Sequence, residues 1–226
     1  MPKPHGLLLI DKPKGPTSHD VIDRIRQASG IKKVGHTGTL DPSAQGLLLV
    51  LVGRQATKKQ NQFQGMDKQY KAAIRLGVKT DTYDSEGSIQ QVYNGRMPSK
   101  SKIEKVLKKF KGTFKQMPPA YSAKKINGKK AYELAREGKK PDLQPAEISI
   151  YKIKFLTYDS PILKIKVDCS KGTYIRSLAS DIGQKLGCGA YLAALKRTKI
   201  GNFSLENAVS LNKINTKNWR NFLIAP

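Results

Sequence analysis

Apolar and polar residues alternate along this chain in patterns that predict several strands. Residues 6–13 and 47–52 contain short apolar runs next to glycine or proline, as buried strands do. Residues 68–77 alternate apolar and polar side chains, which predicts a strand with Tyr70 at its inward-facing start. The pattern also predicts a hairpin whose strands cover residues 148–156 and 163–169.

Helices are predicted where apolar residues recur every three or four positions. One begins at a cap formed by Thr17 or Ser18 and ends at Gly30, and another begins near Ile175 and ends at Gly187. Shorter helices are predicted within residues 131–137 and 191–195, and another follows a capping box at residues 101–104. Strands and helices mix irregularly and hairpins are present, so we expect an α+β fold in one domain covering residues 1–226.

The charge of the chain indicates a polyanionic partner. Lys and Arg number 42 against 17 Asp and Glu, which gives a formal net charge of +25. Such an excess repels itself, so we expect a nucleic acid as the partner and a monomeric protein. The alternative is a lysine-rich proteome in which every protein is basic.

Several classes of protein are disfavoured by the same composition. Two cysteines and three histidines are too few for a disulfide framework or a zinc cluster. The longest apolar run, residues 47–52, is too short to cross a bilayer, and the N-terminal run is too short for a signal peptide. We therefore expect a cytoplasmic protein that uses no metal and no cofactor.

Two polar segments interrupt the regular pattern. Residues 117–145 have proline near both ends, many Lys and Arg residues, and two interleaved tyrosines. This composition suits a basic arm that contacts nucleic acid, although a solvated surface excursion has the same pattern. Residues 81–87 form an acidic segment that resembles a calcium loop only loosely, so we predict a solvated turn there.

Asp41 is the candidate reactive group. It is the one acidic residue between Lys32 and Gln64, and it lies in a loop rich in glycine and threonine just before the strand 47–52. Asp-Pro pairs are common in turns, so a structural role is the alternative. Arg176, at the start of a predicted helix, is a candidate counter-ion, and Tyr70 is a candidate stacking ring.

Five motifs together resemble the TruB family, the tRNA pseudouridine-55 synthases. The first is Gly-His-Thr-Gly-Thr-Leu-Asp-Pro at residues 35–42, which resembles the catalytic motif of the family. The others occur in the family's order, so the resemblance extends from residue 6 to about residue 205, nearly the whole chain. They lie at residues 6–20, 68–82, 118–132 and 169–178.

The resemblance implies the pseudouridine synthase fold, a mixed and mainly antiparallel sheet with helices and loops around a central RNA-binding cleft. It implies isomerisation of the T-loop uridine of tRNA, position 55, after the base is flipped out. It assigns Asp41 as the catalytic aspartate, Arg176 as its ion-pair partner and Tyr70 as the ring stacked on the base. His36 would occupy the space that the base leaves, and Tyr174 and Leu195 would line the uridine pocket.

RNA-backbone contacts are expected at lysines in or near these motifs, namely Lys12, Lys124, Lys125, Lys129, Lys130 and Lys171. Many members of the family carry a C-terminal PUA domain, and the sequence after Phe203 is too short for one. We therefore expect a catalytic core in which the arm at about 117–145 provides more of the grip on tRNA. The alternatives are a guide-RNA-dependent rRNA pseudouridine synthase of the dyskerin type and a non-catalytic tRNA-binding chaperone.

Overall fold

The computed structural model describes residues 4–122, 124–126, 128–139 and 141–226, without the side chains of Lys125, Lys130 and Arg136. The chain forms two compact units, one comprising Met1–Tyr70 with Leu195–Pro226 and the other comprising Lys71–Ala194. The strands are β1 (Gly6–Lys12), β2 (Val34–His36), β3 (Gln45–Val52), β4 (Lys68–Leu76), β5 (Val78–Thr80), β6 (Ile89–Val92), β7 (Gly112–Gln116), β8 (Lys125–Ile126), β9 (Lys129–Lys130), β10 (Ala146–Asp159), β11 (Ile162–Cys169), β12 (Ala190–Ile200), β13 (Phe203–Ser204) and β14 (Val209–Ser210). The helices are α1 (Ser18–Ser29), α2 (Arg54–Lys58), α3 (Gln60–Gln64), α4 (Lys100–Lys108), α5 (Ala131–Arg136) and α6 (Ile175–Leu186).

Two apolar strands form the centre of the unit Met1–Tyr70 with Leu195–Pro226. Strands β1 and β3 pair antiparallel over their whole length, from Gly6 opposite Val52 to Lys12 opposite Gly46. Their apolar runs are continuous because both faces are covered. Leu8 and Ile10 pack into one core cluster with α1, and Leu7 and Leu9 pack into a second cluster on the other face. Strands β2 and β13 pair antiparallel with β3 and β12, whereas β14 and β12 run parallel to β1 and β3.

Helix α1 has the boundaries that its sequence predicts. The Thr17 side chain accepts a hydrogen bond from the Asp20 N–H, and the Asp20 carboxylate accepts one from the Thr17 N–H, which forms a capping box. Gly30 ends the helix with a φ of 69°, a left-handed conformation that glycine adopts without strain.

An antiparallel hairpin and two helices organise the unit Lys71–Ala194. Strand β10 pairs with β11 on one side and with β7 on the other. The inward residues of β11 are all fully buried, namely Leu163, Ile165, Val167 and Cys169. Helices α4 and α6 pack against each other through buried apolar residues, and α4 also packs on β10. Antiparallel pairs predominate and parallel pairs occur, so the predicted α+β fold with a mixed sheet is confirmed.

Two local predictions were wrong. Residues 191–195 lie within the strand β12 rather than in a helix, and Lys196 and Arg197 of the same strand pair with Gln45 and Gly46 at the start of β3. Helix α4 begins after Ser99, whose side chain accepts a hydrogen bond from the Lys102 N–H, so the cap precedes the predicted capping box. In the described ranges, the helices lack the length and apolar character that crossing a membrane requires.

Candidate active site

The loop between β2 and β3 carries Asp41 and is held from several sides. The Ser18 hydroxyl accepts a hydrogen bond from the Leu40 N–H at 2.8 Å and donates one to the Leu40 carbonyl at 2.9 Å. Beyond Asp41, the Pro42 carbonyl accepts a hydrogen bond from the Gly15 N–H at 2.9 Å. Both neighbours of Asp41 are therefore tied to the segment at the start of α1, which fixes the backbone that presents the carboxylate.

Lys12 lies fully buried at the end of β1 and supports the same loop. Its Nζ donates to the carbonyls of Ala44 at 2.8 Å and Pro13 at 2.9 Å. Burial lowers the pKa of Lys12 below its usual 10.5, and the charge of Arg197 lowers it further, whereas the nearby charge of Asp41 raises it. The predicted contact between Lys12 and the RNA backbone was wrong for this structure, because a fully buried ammonium cannot reach a phosphate.

A second buried cation, Arg197 of β12, joins both ends of the loop. Its Nε donates to the Leu47 carbonyl at 2.8 Å, and its Nη2 donates to the Gly38 carbonyl at 3.0 Å. The Nη1 atom lies 3.4 Å from the carbonyl of Thr39. Close packing here requires glycine at position 46, where φ is 106° and an added Cβ would collide with the Arg197 backbone. Arg197 thus organises three backbone carbonyls around the loop of Asp41.

His36 at the end of β2 is held as a neutral acceptor. Its Nδ1 accepts a hydrogen bond from the Gly38 N–H at 3.3 Å, and its carbonyl accepts one from the Gln60 side chain at 3.1 Å. Burial lowers the pKa of His36 below 6.5, and the charges of Arg197 and His19 lower it further. The imidazole is therefore uncharged at neutral pH, with Nδ1 unprotonated.

The unit that contains Asp41 also contains two of the expected uridine-pocket residues. Tyr70 is buried on β4, in a strand whose residues alternate between buried and more exposed positions as the sequence predicts. Leu195 is half-buried on β12. Their expected roles in uridine binding stay predictions.

Arg176 lies in the first turn of α6, where it forms a buried ion pair with Asp84. Its Nη1 lies 3.3 Å from the Asp84 Oδ2, and both side chains are at most one tenth exposed. The Nη2 atom donates to the Tyr121 carbonyl at 2.7 Å, and Nη1 lies 3.4 Å from the Thr82 carbonyl. The geometry suits a guanidinium, because its fork of donors can bind several acceptors at once.

Residues 81–87 form the predicted turn, but Asp84 within it is buried rather than solvated. The residue is only 5% exposed. Its Oδ1 accepts hydrogen bonds from the Thr82 hydroxyl at 2.6 Å and from the Glu86 N–H at 3.0 Å. Asp84 supplies a buried partner for Arg176, which lies 92 residues away along the chain, whereas Asp81 and Glu86 are exposed.

Tyr174 is fixed through its backbone at the start of α6. The Gln116 side chain accepts a hydrogen bond from the Tyr174 N–H at 2.8 Å and donates one to the Tyr174 carbonyl at 3.1 Å. This bidentate contact holds the turn that precedes Arg176. Lys171 lies exposed two residues before Thr173, in the same turn.

The basic arm has regular structure of its own. Strands β8 and β9 pair antiparallel, and α5 follows them, with the Ala131 N–H donating to the Lys124 carbonyl at 2.8 Å. The Lys124 ammonium donates to the Gln144 carbonyl at 2.9 Å, and the Lys129 side chain is 62% exposed. The predicted RNA contacts of Lys125 and Lys130 concern side chains outside the described part of the chain.

The structure thus places Lys12, His36, Asp41 and Arg197 in one unit, and Asp84, Tyr174 and Arg176 in the other. The sequence reasoning missed two of these positions as site residues. The rarity of acidic residues in so basic a chain was a usable signal for Asp84, whereas Arg197 lies between two other polar residues in a strand mistaken in part for a helix. Across the described ranges, no cluster of three His, Cys, Asp or Glu residues could hold a metal ion.

Family models match nearly the whole chain. The model of the TruB family pseudouridylate synthase N-terminal domain matches residues 26–175, and that of the tRNA pseudouridylate synthase B C-terminal domain matches residues 176–222. The chain is 48% identical over 211 residues to the tRNA pseudouridine synthase B of Protochlamydia amoebophila, which covers 93% of this chain and 80% of that protein. The protein of the same name from Aquifex aeolicus is 46% identical, over 92% of this chain and 72% of that protein.

Solved structures show the same fold. A Cbf5 chain in a Cbf5-Nop10-Gar1 complex superposes with a TM-score of 0.72 and 32% identity, over 92% of this chain and 52% of that chain. The archaeal box H/ACA sRNP Nop10-Cbf5 complex gives a TM-score of 0.69 and 30% identity, over 95% of this chain and 55% of that chain. This chain therefore spans about half the length of the solved chains that it matches.

Proposed function

The chain belongs to the TruB family of pseudouridylate synthases, and on that premise we propose that it isomerises a uridine of tRNA to pseudouridine. We propose the T-loop uridine at position 55 as the target, as the sequence motifs imply. The observation that carries the proposal is the loop of Asp41, a single carboxylate whose backbone is tied by Ser18, Gly15 and Arg197. Such rigidity suits a group that must meet one atom of a flipped nucleotide.

The reaction breaks the bond between C1′ of the ribose and N1 of uracil. The uracil then turns while it stays bound, C5 bonds to C1′ and loses its proton, and N1 takes up a proton, so the product is an isomer of the substrate. An ionised carboxylate at Asp41 can add to the sugar or the base, or assist removal of a proton from C2′. Each route needs Asp41 deprotonated and close to the sugar or the base of the flipped nucleotide.

We propose that the remaining site residues bind the uridine rather than react with it. The Tyr70 ring stacks on the flipped base, and Tyr174 and Leu195 line its pocket. Neutral His36 fills the space that the base leaves, and the family resemblance assigns Arg176 as the ion-pair partner of Asp41. A cytoplasmic monomer that acts without metal or cofactor remains our prediction.

The test is tritium release from a tRNA transcript labelled at C5 of its uridines, with no guide RNA and no cofactor. We expect the wild-type protein to release tritium and Asp41→Asn to release none, while Asp41→Asn keeps most of its tRNA affinity. Asp23→Asn is the control, because Asp23 is an exposed carboxylate of α1 in the same unit. Release by Asp41→Asn at the wild-type rate would show that another group performs the chemistry.

The same assay separates the alternatives. The solved Cbf5 structures are 30–32% identical to this chain, whereas the tRNA pseudouridine synthase B sequences are 46–48% identical, which favours action on tRNA without a guide. Activity that requires an added guide RNA would support the guide-dependent reading. Tight tRNA binding without any release by the wild-type protein would support the chaperone reading.

We propose that the basic arm at 117–145 contacts the tRNA backbone. The exposed ammonium of Lys129 and the cluster Lys124, Lys125, Lys129 and Lys130 support this, because lysine–phosphate contacts release counterions. Replacing these four lysines with glutamine should weaken tRNA binding and flatten its dependence on salt. An unchanged affinity and an unchanged salt slope would contradict the proposed role of the arm.

A further inference from the structure

The outward face of the β10–β11 hairpin carries a group of lysines that the site does not use. The inward residues Ile165 and Val167 are fully buried and pair with Phe155 and Ile153. Side chains alternate along each strand, so the intervening residues point away from the core. We call the outward group the lysine face; its members are Lys152, Lys154, Lys164 and Lys166.

Strand register concentrates the charge of the lysine face. Lys154 lies directly opposite Lys166, Lys152 lies opposite Asp168, and Lys164 lies opposite Thr157. Like charges directly opposite each other destabilise a strand pair. The pair Lys154–Lys166 therefore carries an electrostatic cost that a bound polyanion would reduce.

The neighbouring strand extends the positive surface. Strand β4 lies next to β11 in the sheet, and its residues Lys71 and Arg75 are exposed. They alternate with Ala72 and Ile74, which are buried. Tyr70 points to the buried face of the same strand, so these cations point away from the face that carries the candidate stacking ring.

The dimensions of the lysine face suit a nucleic-acid backbone. Lys152, the pair Lys154–Lys166, and Lys164 occupy successive levels about 7 Å apart along the strands, so the face extends over roughly 14 Å. Its members and the β4 cations are all lysine or arginine. Such a surface can contact the phosphates of a nucleic-acid backbone.

We propose that the lysine face, together with Lys71 and Arg75, is a second RNA-binding surface that holds the phosphate backbone of an RNA duplex. The surface is distinct from the residues assigned to the uridine and from the basic arm. The inference rests on the proposed action on tRNA, whose helical stems present such a backbone. The contact is independent of base sequence, because only phosphates are bound.

The test compares two variants that lose the same charge. One replaces the four lysines of the lysine face with glutamine. The control replaces four exposed lysines in and after α4, in the same unit, with glutamine; these are Lys105, Lys108, Lys109 and Lys111. The probe is a short RNA duplex without a loop or a target uridine, and its affinity is measured as a function of salt.

Loss of four phosphate contacts should lower the slope of log affinity against log salt by up to about 3.6, taking about 0.9 for each contact. The affinity ratio of wild type to the lysine-face variant should then be up to about 150-fold larger at about 50 mM salt than at about 200 mM. The control variant should change the slope less. The thermal stability of the lysine-face variant should not fall below that of the wild-type protein, because the repulsion between Lys154 and Lys166 is removed.

The proposal would be overturned if the lysine-face variant and the control variant bound the RNA duplex with equal affinity and equal salt slope. It would also be overturned if the lysine-face variant bound RNA as tightly as the wild-type protein does and the lysine face instead bound an acidic protein tightly. Tritium release at saturating tRNA should persist in the variant. If the wild-type protein released no tritium, the proposed activity would fail, whereas the duplex measurement would still decide the binding surface.

Discussion

The buried ion pair between Asp84 and Arg176 gives a prediction whose magnitude follows from burial. The two side chains are 7% and 10% exposed, and the Arg176 Nη1 lies 3.3 Å from the Asp84 Oδ2. In Asp84→Ala the guanidinium loses this carboxylate while it stays buried. Removal of one partner from a buried pair costs about 3–5 kcal/mol. We expect the free energy of unfolding to fall by that amount.

A surface ion pair in the same chain is the matched control. The Arg26 Nη1 lies 2.8 Å from the Asp23 Oδ1, which is shorter than the buried pair, yet these side chains are 37% and 48% exposed. Exposed pairs contribute about 0.2–1 kcal/mol because water and salt screen them. Asp23→Ala should therefore cost less than about 1 kcal/mol, despite the shorter distance.

Urea unfolding of both variants measures the two costs, and single-turnover tritium release measures the effect on the site. Asp84→Ala should also slow release, because the orientation of Arg176 depends on Asp84. Asp84→Asn should fall between wild type and Asp84→Ala, since its amide oxygen can still accept a hydrogen bond. Equal unfolding costs for Asp84→Ala and Asp23→Ala would refute the argument that burial, rather than distance, sets the strength of these pairs.

Two further predictions concern the loop of Asp41. Burial lowers the pKa of His36 in the folded protein below 6.5. Between that lowered pKa and 6.5 the unfolded chain binds more protons than the folded protein, so the free energy of unfolding falls as the pH drops through this window. Urea unfolding from pH 7 to pH 5 should show a steeper loss for the wild-type protein than for His36→Gln, and equal slopes would contradict the assignment. Gly46→Ala should destabilise the protein far more than Gly30→Ala, because both glycines have positive φ but only Gly46 lies against the Arg197 backbone. Thermal unfolding compares them, with about 1 kcal/mol expected for Gly30→Ala.

Local pattern predicted the elements whose burial is set by their own sequence. The capped α1, the alternating β4 and the β10–β11 hairpin all have the predicted type, because each buries one periodic face. The prediction for residues 191–195 was wrong because Ala193, Ala194 and Leu195 favour a helix locally, whereas sheet pairing decides their conformation. Long-range pairing overrides such a preference.

The candidate site was predictable where the proposed reactive residue lies in a distinctive loop. Asp41 was identified as the lone carboxylate of its segment, and Arg176 as a cation that opens a helix. Asp84 was misjudged, because its burial depends on an arginine 92 residues away, which local composition does not reveal. The burial of Lys12 was missed for the same reason, since its partner Ala44 lies 32 residues away.

The most direct test of the central claim uses a tRNA that carries tritium at C5 of its T-loop uridine alone. The wild-type protein should release this tritium without guide RNA, metal or cofactor, and Asp41→Asn should release none while it still binds the tRNA. Release by Asp41→Asn, or retention of all the tritium by the wild-type protein, would contradict the account.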